Sequence, residues 1–188
     1  PGYEVTSKLE KMGWHSSDTG EIGFTDVEVP DEHLLGNENE GFQLIMANFA
    51  WERLLMAIGA VGAMDWLIEK SIAYANERQA FGRSIGSFQA IRHKVAEMAT
   101  TAAAARTLTY DTLRRFDQGE VVIREVSMAK LMTQRALVEI ADEALQIHGG
   151  YGYMKEYGIE RALRDARLGP IGGGTDEIMK EIIGKTYG

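Results

Sequence analysis

The stretch Pro170–Ile178 reads PIGGGTDEI: three glycines lead into a threonine that is placed to cap a helix. Free N–H groups at such a turn favour an anion or a carbonyl that gains negative charge during a reaction. Asp176 and Glu177 already occupy the first helical turn, so they oppose a free phosphate and leave the carbonyl as the better guest. The glycines have no side chain, so the loop supplies no base. A carboxylate does occur in the apolar run FAWERLLMAIGAVGAMDW. On a helix, the neighbours of Glu52 at spacings of three, four and seven are Ile45, Asn48, Phe49, Leu55, Met56 and Gly59, of which only Asn48 is polar. Burial there would favour the neutral carboxyl and tune it towards a base near neutral pH. Spacing alone leaves a second reading open, and it is the commoner one: a structural carboxylate paired with Arg92 or Arg106 of another helix.

Two further stretches resemble ligand loops. ERQAFG sets Arg78 beside Phe81 and Gly82, a cation for a phosphate and an aromatic for a base. QIHGGYGY puts Gln146 and two glycines at a helix end, where backbone can approach a ligand closely. Each alone is as readily a surface arginine, a helix cap or a turn. His93 and His148 have no metal-ligand spacing, so no metal site is expected. There is no Ser/His/Asp arrangement, P-loop or dinucleotide-binding glycine fingerprint.

These residues need a frame of long helices. Apolar residues make up 45% of the 188, enough for a core, and the net charge of −8 argues against a nucleic-acid partner. With no cysteine, disulfides, thiolate metal sites and a cysteine nucleophile are excluded. No stretch reads as a signal peptide or membrane span, since Glu52, Arg53 and Asp65 interrupt the longest apolar region. The segment GEIGFTDVEVP alternates as one or two strands, too few for a stable sheet alone, so a larger sheet is expected before residue 1. Helical periodicity follows from about residue 41 to 75, from Ser87 as N-cap to 116, and from about 120 to 148. Short helices are expected over about 159–167 and 175–183. The expected fold is mainly α: an antiparallel helical bundle over 37–188, preceded over 1–36 by the remnant of a β-domain. The alanine-rich run of 99–105 and the helix lengths suggest self-association.

Taken together, ERQAFGRSIGSFQAIRHKVAEM, QIHGGYGYMKEYGIERALRDARLGPIGGGTDEI and DTGEIGFTDVEVP resemble the acyl-CoA dehydrogenases in order and spacing, over essentially the whole chain. The likeness is to their C-terminal half: the tail of the middle β-domain, then the helical domain. It implies FAD as cofactor and an acyl-CoA substrate, oxidised to the trans-2-enoyl-CoA as a glutamate takes the α-proton and the β-hydrogen leaves as hydride. It also implies an electron-transfer flavoprotein as acceptor, a homotetramer built as a dimer of dimers with flavins shared across an interface, and no membrane span. The compartment would be the cytoplasm of a bacterium or the mitochondrial matrix of a eukaryote. By motif, Arg78, Gln79, Phe81 and Gln89 match one flavin-contacting stretch, Gln146, Gly149 and Gly150 a second, and Thr175 and Glu177 a third. The N–H of Gly173 matches the thioester-carbonyl donor, with Gly174 beside it.

Two departures matter. Many members carry the base in a Tyr-Glu-Gly-Thr form of the last loop, where this chain has Gly172-Gly173-Gly174-Thr175. Members resembling the long-chain and isovaleryl enzymes place it on the first long helix directly before an arginine, and Glu52-Arg53 match that pattern. The resemblance therefore makes Glu52 the base and sets Arg53 near the substrate. Gly158 stands where members often have proline, which should loosen that turn. Two other readings remain: a flavin-dependent oxidase or monooxygenase on the same fold, and an inactive assembly module. With most of the β-domain outside the chain, weak FAD binding by this chain alone is expected.

Overall fold

The computed structural model describes residues 1–188. Strands β1 (Tyr3–Lys8) and β2 (Gly20–Phe24) form an antiparallel pair, and Tyr3, Val5, Ile22 and Phe24 stay exposed on it. The sequence reading missed β1 and overextended the second segment, since Val27 and Val29 lie outside β2. The loop between the strands reaches the helices. The Trp14 N–H donates to Asp165 Oδ1 at 2.6 Å, its indole Nε1 to the Asp165 carbonyl at 3.0 Å, and Arg164 Nη1 to the Met12 carbonyl at 2.9 Å.

Helix α1 (Gly41–Glu77) leads to a small hairpin, β3 (Gln79–Ala80) with β4 (Arg83–Ser84), then α2 (Gln89–Asp117) and α3 (Ile123–His148). Ser87 is not the N-cap of α2. It lies in a preceding 3-10 turn and its hydroxyl donates to the Ser84 carbonyl, so Phe88 takes the cap position with no side-chain bond. Gly119, at φ +80°, ends α2 as expected, and α3 begins at Ile123, three residues later than its pattern suggested. Short helices α4 (Gly150–Tyr153), α5 (Ile159–Ala166) and α6 (Asp176–Gly184) complete the chain. Gly158 caps α5 at φ +72°, ψ 0°, a left-handed conformation that proline's fixed φ cannot adopt. Gly158 therefore makes a turn that a proline at this position would not permit.

Cross-links give the helix directions. Arg106 pairs with Asp65 and Lys94 with Glu143, so α2 runs antiparallel to α1 and α3. Gln134 Nε2 donates to the Met56 carbonyl near one end, and Tyr74 stacks on His148 near the other, so α1 and α3 run side by side in the same direction. Ala60, Val61, Met64 and Leu67 of α1 meet Met98, Ala102 and Ala105 of α2 and Ala136, Ile140, Ala141 and Ala144 of α3 in one core. The small alanines let the axes approach closely. By length and composition α1 is apolar enough to cross a membrane, which the sequence reading did not anticipate. Its inner face nevertheless forms the centre of this core.

Candidate functional site

The glycine loop lies where α1, α3 and α6 meet. Gly173 and Gly174 have φ of +65° and +100°, conformations that need no β-carbon. Their carbonyls turn inward onto two buried cations. Arg53 Nε of α1 donates to the Gly173 carbonyl at 2.9 Å, and Lys130 Nζ of α3 donates to the Gly174 carbonyl at 2.5 Å. Lys130 is fully buried, and desolvation holds its ammonium below the usual lysine range against the opposing pull of Asp176. Burial likewise lowers the Arg53 guanidinium, which the Glu52 charge partly offsets and which lies 5.1 Å from the centre of the Phe49 ring. Asp176 is tied to Arg135 Nε at 2.6 Å, while its Oδ1 has no partner. Thr175 caps α6 as expected, its hydroxyl accepting from Ile178 N–H at 3.3 Å. The N–H groups of Gly173, Gly174 and Thr175 have no acceptor within the chain. Glu177 has its carboxyl lowered, first by its own backbone N–H and then by the Thr175 hydroxyl.

Glu52 differs from its sequence reading in one respect. Its helical neighbours are as expected, and Asn48 Nδ2 donates to its Oε1 at 2.6 Å. The carboxylate is exposed, however, not buried, because Ile45 and Leu55 on the same apolar stripe are uncovered by this chain. The structural pairing is also absent: Arg106 is taken by Asp65, and neither Arg92 nor Arg106 bonds Glu52. Position links Glu52 to the loop. Met56, one turn further along α1, lies so close to Gly173 that a β-carbon there would be 2.6 Å from its sulfur. Arg53 is buried beneath the loop and holds its backbone, so in this chain it does not sit open for a substrate.

The remaining candidates gather elsewhere. Arg78, Gly149 and Gly150 share a cleft of about 540 Å³ with Tyr74, His148 and Tyr151 at the far ends of α1 and α3. The Arg78 guanidinium lies 5.7 Å from the centre of the Tyr151 ring and has no carboxylate partner. Phe81, 95% exposed at φ +52°, packs edge-on to Phe88, and Gln79, Gln89 and Gln146 are exposed. A β-carbon at Gly149 or Gly150 would meet nothing. Lys130 and His148 are 18 residues apart on α3, about 27 Å along its axis. The sequence candidates therefore form two groups at opposite ends of the bundle. Glu52, Arg53, Gly173, Gly174, Thr175 and Glu177 make one; Arg78, Gln79, Phe81, Gln89, Gln146, Gly149 and Gly150 make the other.

The family model for the acyl-CoA dehydrogenase C-terminal domain matches residues 39–188. The chain belongs to the acyl-CoA dehydrogenase family. It is 44% identical over 185 residues to an acyl-CoA dehydrogenase of Bacillus subtilis, covering 98% of this chain and 49% of that one. It is 39% identical over 184 residues to the mitochondrial long-chain specific acyl-CoA dehydrogenase of Rattus norvegicus, covering 98% and 43%. A probable acyl-CoA dehydrogenase of Mycobacterium abscessus superposes with a TM-score of 0.97 at 47% identity, over 100% of this chain and 50% of that one. The chain thus spans about half the length of the relatives it matches. The helical architecture is that of the family's C-terminal domain. Sequence reasoning missed Lys130 and Gln134 and named Met56 only as a helical neighbour of Glu52; these three residues shape the glycine loop from below. Lys130 gave no signal in the sequence like that of Glu52: its helical neighbours include Ser127, Thr133 and Gln134, and only the packed structure shows that these, with Val126 and Leu137, are buried.

Proposed function

We propose that this chain is the C-terminal half of an FAD-dependent dehydrogenase that converts an acyl-CoA thioester to its trans-2-enoyl-CoA, with Glu52 as the base that takes the α-proton. The observation that carries the reading is the juxtaposition at the glycine loop. The loop has unsatisfied N–H donors and no carboxylate of its own, and it packs on Met56, one turn from Glu52. A thioester α-hydrogen is weakly acidic, so the base needs donors fixed where enolate charge develops. The N–H of Gly173, with Gly174 beside it, fits that need, while the absence of a side chain at 173 leaves room for a base from α1. Arg53 keeps the loop carbonyl turned away from the substrate.

FAD, when bound, supplies the hydride acceptor. The chain's residues suit it: Arg78 offers an unpaired cation to a phosphate, Gly149 and Gly150 leave open backbone, and Phe81 presents a bare ring. Gln79, Gln89, Gln146, Thr175 and Glu177 complete the proposed contacts. Because the two groups lie at opposite ends of one bundle, one chain serves two flavins most simply in a dimer; the pairing of such dimers into a tetramer is proposed from the family resemblance alone. An electron-transfer flavoprotein is the proposed acceptor. The proposed boundary between β-domain tail and helical domain falls at residues 36–37. The proposed compartment is the bacterial cytoplasm or, in a eukaryote, the mitochondrial matrix.

The test is Glu52→Gln in the full-length protein. Loss of acyl-CoA-driven flavin bleaching by at least about a thousandfold, roughly 4 kcal/mol of barrier, is expected with FAD still bound. Retained turnover would exclude Glu52 as the base.

A further inference from the structure

A lysine ammonium with no exposed surface is a costly group to retain, and methionine would fill the same space without that cost. Lys130 makes one hydrogen bond, to the Gly174 carbonyl, and the charged groups around it are Asp176 from α6 and Arg53 from α1. Asp176 is already engaged by Arg135, so Lys130 is not there as its ion-pair partner; no such contact forms.

What Lys130 does control is a peptide plane. The chain has no cis peptide bonds, and in a trans peptide the carbonyl and the N–H point in opposite directions. The Gly174 carbonyl shares its plane with the Thr175 N–H, just as the Gly173 carbonyl shares one with the Gly174 N–H. With both oxygens drawn inward by Lys130 and Arg53, both N–H groups face away from the interior, and neither has an acceptor. A cation on the oxygen also polarises the amide and strengthens its N–H as a donor. Two successive glycines in left-handed conformations have little intrinsic preference for this arrangement, so something must impose it.

We propose that Lys130 is a positioning residue for catalysis: by holding the Gly174 carbonyl inward it fixes the Thr175 N–H outward and, together with Arg53 on the Gly173 carbonyl, sets the glycine turn that presents the Gly173 N–H, the proposed donor to the thioester carbonyl. It acts through the backbone and touches neither substrate nor cofactor. The role rests on the proposed function of the loop.

The experiment uses the full-length FAD-loaded enzyme with Lys130→Met, a variant of matched volume. Wild type is first reduced with a panel of straight-chain and branched acyl-CoA thioesters, and the fastest is kept. Expected for Lys130→Met is retained FAD, thioester affinity within about threefold, and a bleaching rate lowered at least about tenfold. The infrared carbonyl band of 13C-labelled enoyl-CoA bound to the oxidised enzyme should move from its lowered wild-type position back towards that of free enoyl-CoA. A merely structural lysine would lower thermal stability and leave that band in place. A wild-type rate and wild-type band in Lys130→Met overturn the proposal. If that variant does not fold, Lys130→Arg decides: a band and rate close to wild type support the clamp, and a wild-type band with a tenfold slower rate overturns it. Wild-type enzyme that no acyl-CoA reduces defeats the proposed function itself; a reducible wild type matched by Lys130→Met defeats only the role of Lys130.

Discussion

The two ends of the bundle are built by opposite means. At the loop end the chain makes its own geometry: two positive-φ glycines, two inward carbonyls, and a buried cation on each. At the far end it leaves surface: Arg78 rests on an aromatic ring, Phe81 is almost wholly exposed, and Gly149 and Gly150 face open space. The difference teaches which half of each proposed site is preformed. Groups that steer developing charge must not move during reaction, so fixing them within one chain is an advantage. Groups that grip the body of a cofactor can be completed by a second surface. Stability should therefore respond to small changes at the loop end.

The largest effect is expected at Gly169, where the loop leaves α5. A β-carbon there would lie 2.0 Å from Gln134 Oε1 and 3.1 Å from Gln134 Cβ, so the glutamine must move and release the Met56 carbonyl. Gly169→Ala should cost about 2–4 kcal/mol, a stranded buried acceptor added to overpacking, read by chemical denaturation of the full-length protein. An unchanged midpoint would mean that the loop is not held from below. Gly173→Ala comes next. Its left-handed φ costs an alanine about 1–2 kcal/mol, and the Met56 sulfur stands 2.6 Å from the added carbon. Shortening that neighbour with Met56→Ala should recover the contact part and leave the backbone part, which a double-mutant cycle separates. Strict additivity of the two substitutions would show that Met56 does not press on Gly173.

Much of this was readable from residue types. Long periodic runs gave the three main helices because a buried stripe must recur every turn, and Thr175 announced its cap through its own hydroxyl. Boundaries were less legible. Ser87 has the right side chain for an N-cap, yet a 3-10 turn turns it back onto Ser84 and Phe88 takes the position. The spacing around Glu52 identified an apolar stripe correctly, but periodicity does not say what covers a stripe. In this chain the outer part is bare, and the carboxylate with it. The split of the candidates into two ends was hidden for a related reason. Motif spacing places a residue on an element, whereas the distance between Arg78 and Gly173 depends on α1 and α3 running the same way, which only tertiary packing decides. Lys130 was overlooked because lysines are normally solvated, and burial of its whole stem and head becomes visible only once α1, α3 and α6 are assembled around it.

The smallest effect belongs to the far end and depends on pH. His148 is buried there, stacked at 4.4 Å on Tyr74 of α1, edge-on to Tyr157, and with its Nδ1 against the Ala144 carbonyl. Desolvation lowers its pKa from the ordinary 6.5, and the Ala144 carbonyl opposes this only in part. The unfolded chain then binds the proton more readily than the folded one, so stability rises with pH through that window and is lost as pH falls below about 6.5 towards the folded value. Lowering the pH from 7.5 to 5.5 should reduce Tm by a few degrees (~2–4 °C). His148→Phe keeps an aromatic ring against Tyr74 and has nothing to protonate. Its Tm at pH 7.5 should be lower because the bond to Ala144 is gone, and the drop on acidification should shrink. If His148→Phe loses as much on acidification as wild type, the pH sensitivity does not arise at the far end, and the two ends differ in geometry alone.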